Sequence, residues 1–263
     1  MRALVTGAAN GIGRGICIAL AGAAKRRGDS LSIAAVDLHA DQLGGVLDEL
    51  RALGVTATGI QADLGTPEGP AQAVAKSVEA LGGLDTLVSN AGIGKPSPLM
   101  ALSLEDWDRV FAINTRATWL LAQAAHAALK EARGSIVVTA SIASVHPQPN
   151  LGAYGPSKAA VLMLVQVMAQ ELAKDGIRVN AVSPGWVRTA ATEKAYANPD
   201  FAALRDSIVP LGRVATPADV GDVVAFLADQ QARYVTGQNI IVDGGLGGHH
   251  MGRMPAVTSI KQH

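Results

Sequence analysis

The chain has 263 residues, and its 22 basic and 22 acidic side chains cancel to a formal charge of zero, which argues against nucleic acid or an anionic membrane surface as the main partner. A hydrophobic share of 49% with 17% charged residues excludes a disordered chain, and no apolar run approaches the ~18 residues of a membrane span. The 29 glycines are in excess, about 11% of the chain against ~7% in average usage.

The chain opens on an apolar run at 2–6 that reads as a strand. This run stops at Thr6, so no signal peptide is expected and a cytoplasmic location follows. A helical window at 12–26 comes next. In it Cys17 lies among Ile16, Ile18 and Leu20 and is expected to be a small buried residue. Strands are expected at 31–37, 55–60, 84–89, 134–140, 177–183 and 238–242, alternating with helices near 40–53, 67–81, 104–131, 154–174 and 217–229. Thr66-Pro67 and Thr216-Pro217 each place a capping hydroxyl before a proline at the first helical position. Ser103 with Asp106 resembles a capping box, and Gly176 ends the 154–174 helix. The segment 185–216 lacks a clean strand and is expected to form a substrate loop or lid.

The strands are continuous in Val, Ile and Leu rather than alternating, the habit of parallel strands buried on both faces. The expected fold is α/β: a three-layer doubly wound Rossmann fold, a seven-stranded parallel sheet with helices on both faces. One domain over 1–263 is expected to carry cofactor and substrate sites, with a C-terminal tail at 246–263. Ligands bind such sheets at the carboxyl ends of the strands.

Directly after the first strand comes Thr6-Gly7-Ala8-Ala9-Asn10-Gly11-Ile12-Gly13. Glycines there permit a tight turn and a close approach of backbone to a pyrophosphate, and the following helix aims its free N–H groups at the phosphates. The second strand ends at Asp37, whose carboxylate suits the adenosine ribose hydroxyls and repels a 2′-phosphate. With Leu38 after it, and Asn10 rather than a cation before Gly11, NAD is favoured over NADP.

Tyr154 and Lys158 share one face of a helix, and Pro156 requires that helix to start close by. A lysine ammonium beside the phenol favours the phenolate, so Tyr154 is expected to have a lowered pKa and to act as general acid and base. Ser141 closes the fifth strand, where its hydroxyl can reach a reacting oxygen.

These residues resemble the short-chain dehydrogenase/reductase family. The turn at 6–13 has that family's form, Ala62-Asp63-Leu64 looks like its adenine-contact motif, and Ser89-Asn90-Ala91-Gly92 is similar to its Asn-Asn-Ala-Gly motif. Pro184-Gly185 with Thr189, Gly212-Arg213, and Gly237-Gln238 through Asp243-Gly244-Gly245 match its later signatures. The resemblance spans residues 2 to about 245. It implies a catalytic set of Asn114, Ser141, Tyr154 and Lys158, with Asn114 in a proton relay through a water and Lys158. It also implies contacts to NAD from Asn10, Ile12, Asp63, Leu64, Asn90, Ala91, Gly92 and Lys158, and a carboxamide held at Val187 and Thr189. A homodimer or homotetramer built on helices 104–131 and 154–174 follows from the same resemblance. The stretch from Gly13 to Asp37 is longer than the family's usual spacing, and the extra length is expected at 25–30 as a surface extension.

The expected reaction is NAD(H)-dependent hydride exchange between a secondary alcohol and its ketone, with no metal. Ser141, Ala143, His146, Gln148, Tyr154 and Trp186 are candidate substrate contacts. The polar rim of His146, Gln148 and Asn150 points to a polyol, sugar or cyclic alcohol. An NADPH-dependent 3-oxoacyl reductase is the competing enzyme, opposed by Asp37. A dinucleotide-binding regulator without turnover is opposed by the intact Ser141, Tyr154 and Lys158.

Overall fold

The computed structural model describes residues 1–190 and 192–248. In chain order these form β1 (Arg2–Thr6), α1 (Gly11–Arg27), β2 (Ser32–Asp37), α2 (Leu43–Ala52), β3 (Thr56–Gln61), α3 (Gly69–Leu81) and β4 (Thr86–Ser89). Then follow α4 (Leu104–Phe111), α5 (Ala117–Ala132), β5 (Ser135–Thr139), α6 (Tyr154–Leu172) and β6 (Arg178–Pro184). The last elements are α7 (Glu193–Tyr196), α8 (Pro199–Ile208), α9 (Pro217–Ala228) and β7 (Asn239–Val242). The expected tail is described only as far as Gly248, and His249, His250 and the rest of it lie outside the described residues.

The seven strands pair in parallel in the order β3-β2-β1-β4-β5-β6-β7. The order reverses between β1 and β4, the topological switch point where such sheets open a crevice. Successive strand residues face opposite ways. Val5, Val88, Val137 and Val182 therefore pack with α1, α2 and α9, whereas Leu4, Leu87, Ile136 and Val138 pack with α3, α5 and α6. The continuous apolar runs of the sequence are thus two interleaved faces, each covered by helices. Cys17 is fully buried on α1, and burial pushes its thiol up to about 12.

Local signals act largely as written. Ser103 accepts from the Asp106 N–H at 3.1 Å, and the Asp219 carboxylate accepts from the Thr216 N–H at 2.7 Å, capping α9. Gly28, at φ 72°, ends α1, and residues 25–30 are exposed, as a surface extension requires.

Two local expectations are corrected. Helix α3 begins at Gly69, not Pro67, and the proline in its first turn is Pro70. Thr66 still accepts from the Gly69 N–H at 3.0 Å, but its own hydroxyl donates back to the Asp63 carbonyl, so residues 63–66 form a turn that delays the helix. The helix expected over 104–131 is interrupted by a π-helical turn at Ala112–Arg116, a feature frequent at functional sites. The segment 185–216, expected to lack a clean strand, contains no named strand among the described residues and holds α7 and α8. Asn198 caps α8 by accepting from the Asp200 and Phe201 N–H groups, with Pro199 in the first turn. The Arg205 guanidinium lies 3.9 Å from the centre of the Trp186 ring and ties this segment down. Among the described residues no helix is long and apolar enough to cross a membrane.

Candidate active site

At the carboxyl ends of β1, β4, β5 and β6 lies a cleft of about 590 Å³. Gly7, Asn10, Gly11, Ile12 and Gly13 line one end. Asn90, Ala91, Gly92, Ile93 and Gly94 line the middle, and Thr139, Ala140, Ser141, Tyr154 and Lys158 line the other end. Pro184, Gly185, Val187, Thr189 and Thr192 close one side.

The glycines of the first turn have different tasks. Gly7 has φ +64°, and a Cβ there would sit 3.0 Å from the Ala91 Cα. At Gly13 a Cβ would lie 1.9 Å from the Gly7 carbonyl oxygen, so this glycine lets the turn close on itself rather than admitting a ligand. The first N–H groups of α1 have no partner within the helix, and with the helix dipole they present positive potential to the cleft. Thr6 fixes the turn against β4: its hydroxyl accepts from the N–H groups of Asn90 and Ala91 at 2.9 and 3.0 Å.

Asp37 stands beside this turn. Its carboxylate accepts from the Ala9 N–H at 3.1 Å and from the His39 N–H at 3.2 Å. Asp37, Leu38, Asp63 and Leu64 sit at the ends of β2 and β3 and do not line the cleft. Leu38 is exposed, Leu64 is buried, and the Asp63 carboxylate accepts from the Gly65 N–H at 2.8 Å.

Tyr154 opens α6 and Lys158 follows one turn later, with Pro156 in that first turn. Lys158 is buried and donates to the Thr139 carbonyl at 2.7 Å. Burial lowers its pKa to about 8. The expectation of a lowered Tyr154 pKa is corrected. Burial raises it, and the opposing pull comes from a hydrogen bond with the Ser141 hydroxyl. The Lys158 nitrogen stands 6.0 Å from the Tyr154 ring centre, bound to backbone instead of the phenol.

Asn114 lies in the π-helical turn and is 1% exposed. Its Oδ1 accepts from the Ile93 N–H at 2.8 Å, and its Nδ2 donates to the Ile93 carbonyl at 3.0 Å and the Ser157 hydroxyl at 2.9 Å. Asn114 does not line the cleft. It stands behind Gly92, where an added Cβ would meet Asn114 Oδ1 and Lys158 Nζ, each at 3.2 Å.

Of the candidate substrate contacts, only Ser141 and Tyr154 line the cleft. Ala143 and Gln148 face a second pocket of about 670 Å³, together with Asn150 and Leu99. The cause is the 3-10 turn Ile142–Ser144: Ser141 accepts from the Ala143 N–H at 3.1 Å and curls the chain away. His146 lies against Gly247, where a Cβ would come 2.6 Å from His146 Nε2. Trp186 is under Arg205.

Sequence reasoning missed Thr139, Ala140 and Thr192 as cleft residues. The signal for Thr139 was present, a lone hydroxyl ending a run of Ile and Val two residues before Ser141. The lining suits a nicotinamide dinucleotide. A helix N-terminus and a glycine turn stand at one end, and at the other the buried Thr139 hydroxyl has no hydrogen-bond partner among the described residues.

A family model described as enoyl-(acyl carrier protein) reductase matches residues 7–247. A (3R)-3-hydroxyacyl-CoA dehydrogenase of Rattus norvegicus is 41% identical over 93% of this chain and 95% of its own length. An L-2,3-butanediol dehydrogenase of Corynebacterium glutamicum is 37% identical over 93% of this chain and 97% of its own. A crystal structure from Beutenbergia cavernae with NADP bound at low occupancy superposes with TM-score 0.82 at 38% identity, covering 93% of this chain and 95% of that one. The chain belongs to the short-chain dehydrogenase/reductase family of oxidoreductases, whose members bind a nicotinamide dinucleotide and act on CH–OH and keto groups.

Proposed function

We propose that this chain interconverts a secondary alcohol and its ketone with NAD(H), using Tyr154 as general acid and base. The observation that carries the reading is the convergence of Ser141, Tyr154 and Lys158 on one end of the cleft whose other end is the Gly7–Gly13 turn. The cofactor supplies the hydride chemistry, and the protein supplies orientation and a proton path.

In this reading the Tyr154 hydroxyl exchanges a proton with the substrate oxygen, and Ser141 holds that oxygen by a hydrogen bond. Lys158, bonded to the Thr139 carbonyl, contributes its charge to the Tyr154 ring from 6.0 Å away rather than by a bond to the phenol. Asn114 fixes the backbone at Ile93 and joins the relay through Lys158. The helix start at Gly11, Ile12 and Gly13, with Asn10, takes the pyrophosphate. Asp63 and Leu64 serve the adenine end, Asn90, Ala91 and Gly92 the middle, and Pro184, Gly185, Val187 and Thr189 the nicotinamide end.

Asp37 supports NAD over NADP. Its carboxylate is already turned toward Ala9 of the glycine turn, where a 2′-phosphate would meet like charge. The proposed substrate stays at the level of a secondary alcohol. The polar rim that pointed to a sugar is dispersed, since Gln148 and Asn150 line the other pocket.

We place both functions in one domain. Assembly into a dimer or tetramer through α4, α5 and α6 is supported by exposed Leu104 on α4, Trp119 on α5, and Met163 and Val167 on α6. A cytoplasmic location completes the reading. Incubating the enzyme with a panel of secondary alcohols and 3-oxoacyl thioesters, each with NAD(H) and NADP(H), tests it by nicotinamide absorbance. Alcohol oxidation with NAD is expected; reduction of oxoacyl thioesters with NADPH alone would replace it.

A further inference from the structure

Thr139 ends β5 at the inner wall of the cleft. It is 6% exposed, and its hydroxyl finds no hydrogen-bond partner among the described residues. A buried hydroxyl without a partner costs stability, so nearly all such groups in native proteins are satisfied by something. The backbone around Thr139 is by contrast fully employed, since its carbonyl accepts from Lys158 at 2.7 Å. β5 runs as Ser135-Ile136-Val137-Val138-Thr139, and of its two hydroxyl residues Ser135 is bonded, to Thr86 and the Ala228 carbonyl, whereas Thr139 is not. A valine would fill the position with the same shape and no orphaned oxygen.

Alternation along β5 puts the Thr139 side chain on the same face as Val137, the face covered by α1 and α9. On that face the strand end opens toward Gly13 on one side and Pro184 and Gly185 on the other, all lining the same cleft. Ser141 follows two residues later, and Lys158 reaches the same residue from α6. Thr139 therefore lines the cleft close to Ser141 and the Lys158 amine, with its hydroxyl buried at that wall.

We propose that Thr139 is a cofactor-positioning residue. Its hydroxyl is the hydrogen-bond partner of a polar group on the nicotinamide half of the dinucleotide, either a ribose hydroxyl or the carboxamide. This rests on the proposed dinucleotide site, and it adds a residue that neither the glycine turn nor the Ser141, Tyr154 and Lys158 set contains.

The test is direct binding to the full chain, read by fluorescence or calorimetry without turnover. Thr139→Val keeps the β-branched shape that β5 requires. Loss of one hydrogen bond is expected to weaken NADH binding roughly fivefold, and Thr139→Ser, which restores a hydroxyl, is expected to bind as the native chain does. ADP-ribose and ADP distinguish the two groups. Weakening of both NADH and ADP-ribose assigns the ribose, whereas weakening of NADH alone assigns the carboxamide. ADP, which lacks that half, is expected to bind equally to all three proteins. Without ligand, Thr139→Val is expected to melt at or above the native temperature, because no internal bond is lost.

NADH binding unchanged within twofold would overturn the proposal, as would ADP weakened as much as NADH or a lowered melting temperature without ligand. Failure of the native chain to bind any nicotinamide dinucleotide would instead remove the underlying site.

Discussion

The Lys158 ammonium donates to the Thr139 carbonyl at 2.7 Å, while its nitrogen stands 6.0 Å from the centre of the Tyr154 ring. Of these two titratable groups one helical turn apart, Lys158 is anchored to β5 rather than to the phenol. Burial moves both toward their neutral forms, the phenol upward and the amine down to about 8. Pairs whose environments set their protonation in this way are the raw material of acid–base sites.

Lys158 sets a stability profile with pH. Its folded pKa of about 8 lies below the ordinary 10.5 because burial penalises the ammonium. Below pH 8 the folded chain carries this cost in full. Between pH 8 and 10.5 the unfolded chain holds more protons, so native stability rises with pH. Lys158→Met is expected to exceed the native chain in stability at pH 7 by up to about 3 kcal/mol, less the lost bond to Thr139. The advantage shrinks as pH rises through that window. Urea midpoints of both proteins at pH 7 and 9.5 check this, and a constant difference would contradict it.

Asn114 holds the chain at Ile93 by two hydrogen bonds and reaches Ser157 by a third. Asn114→Ala leaves the Ile93 N–H and carbonyl without that partner, and is expected to cost about 2–3 kcal/mol of stability together with much of the activity. Denaturant unfolding measures the first effect. An unaltered midpoint would show that Ile93 is held by other means.

Asp37 is expected to govern the choice of cofactor. Asp37→Asn removes the charge while keeping an oxygen for the Ala9 N–H. The ratio of kcat/KM for NAD over NADP is expected to fall by at least roughly tenfold, a modest share of the several kcal/mol that like-charge contact costs. A native preference for NADP, or a ratio that does not move, would transfer cofactor choice to another residue.

The sheet was legible because most of its strands are apolar runs, with the edge strand β3 the exception, and are separated by helices with written starts, as at Ser103 and Thr216. Helices α7 and α8 were not, because α7 is a single turn and the Asn198-Pro199 cap stands inside a segment without strong apolar periodicity. The π-helical turn at Asn114 was not legible, because the polar run Asn114-Thr115-Arg116 inside it reads equally as the solvated side of one continuous helix. At the site, Ser141, Tyr154 and Lys158 were legible from their spacing and strand-end position. Their electrostatics were not. Proximity in sequence suggested that Lys158 would act on the phenol, whereas the fold turns its ammonium to the Thr139 carbonyl and lets burial dominate. Ala143 and Gln148 line a neighbouring pocket rather than the cleft for a similar reason. A short 3-10 turn after Ser141 redirects the chain, and sequence order does not reveal that direction.

The central claim is that the Tyr154 hydroxyl carries the proton, and Tyr154→Phe tests it most directly because only one oxygen is removed. NADH affinity is measured by fluorescence titration beside turnover of the best alcohol found. The account predicts native affinity with turnover reduced by roughly 10²–10⁴. Turnover within tenfold of the native enzyme at unchanged affinity would contradict it.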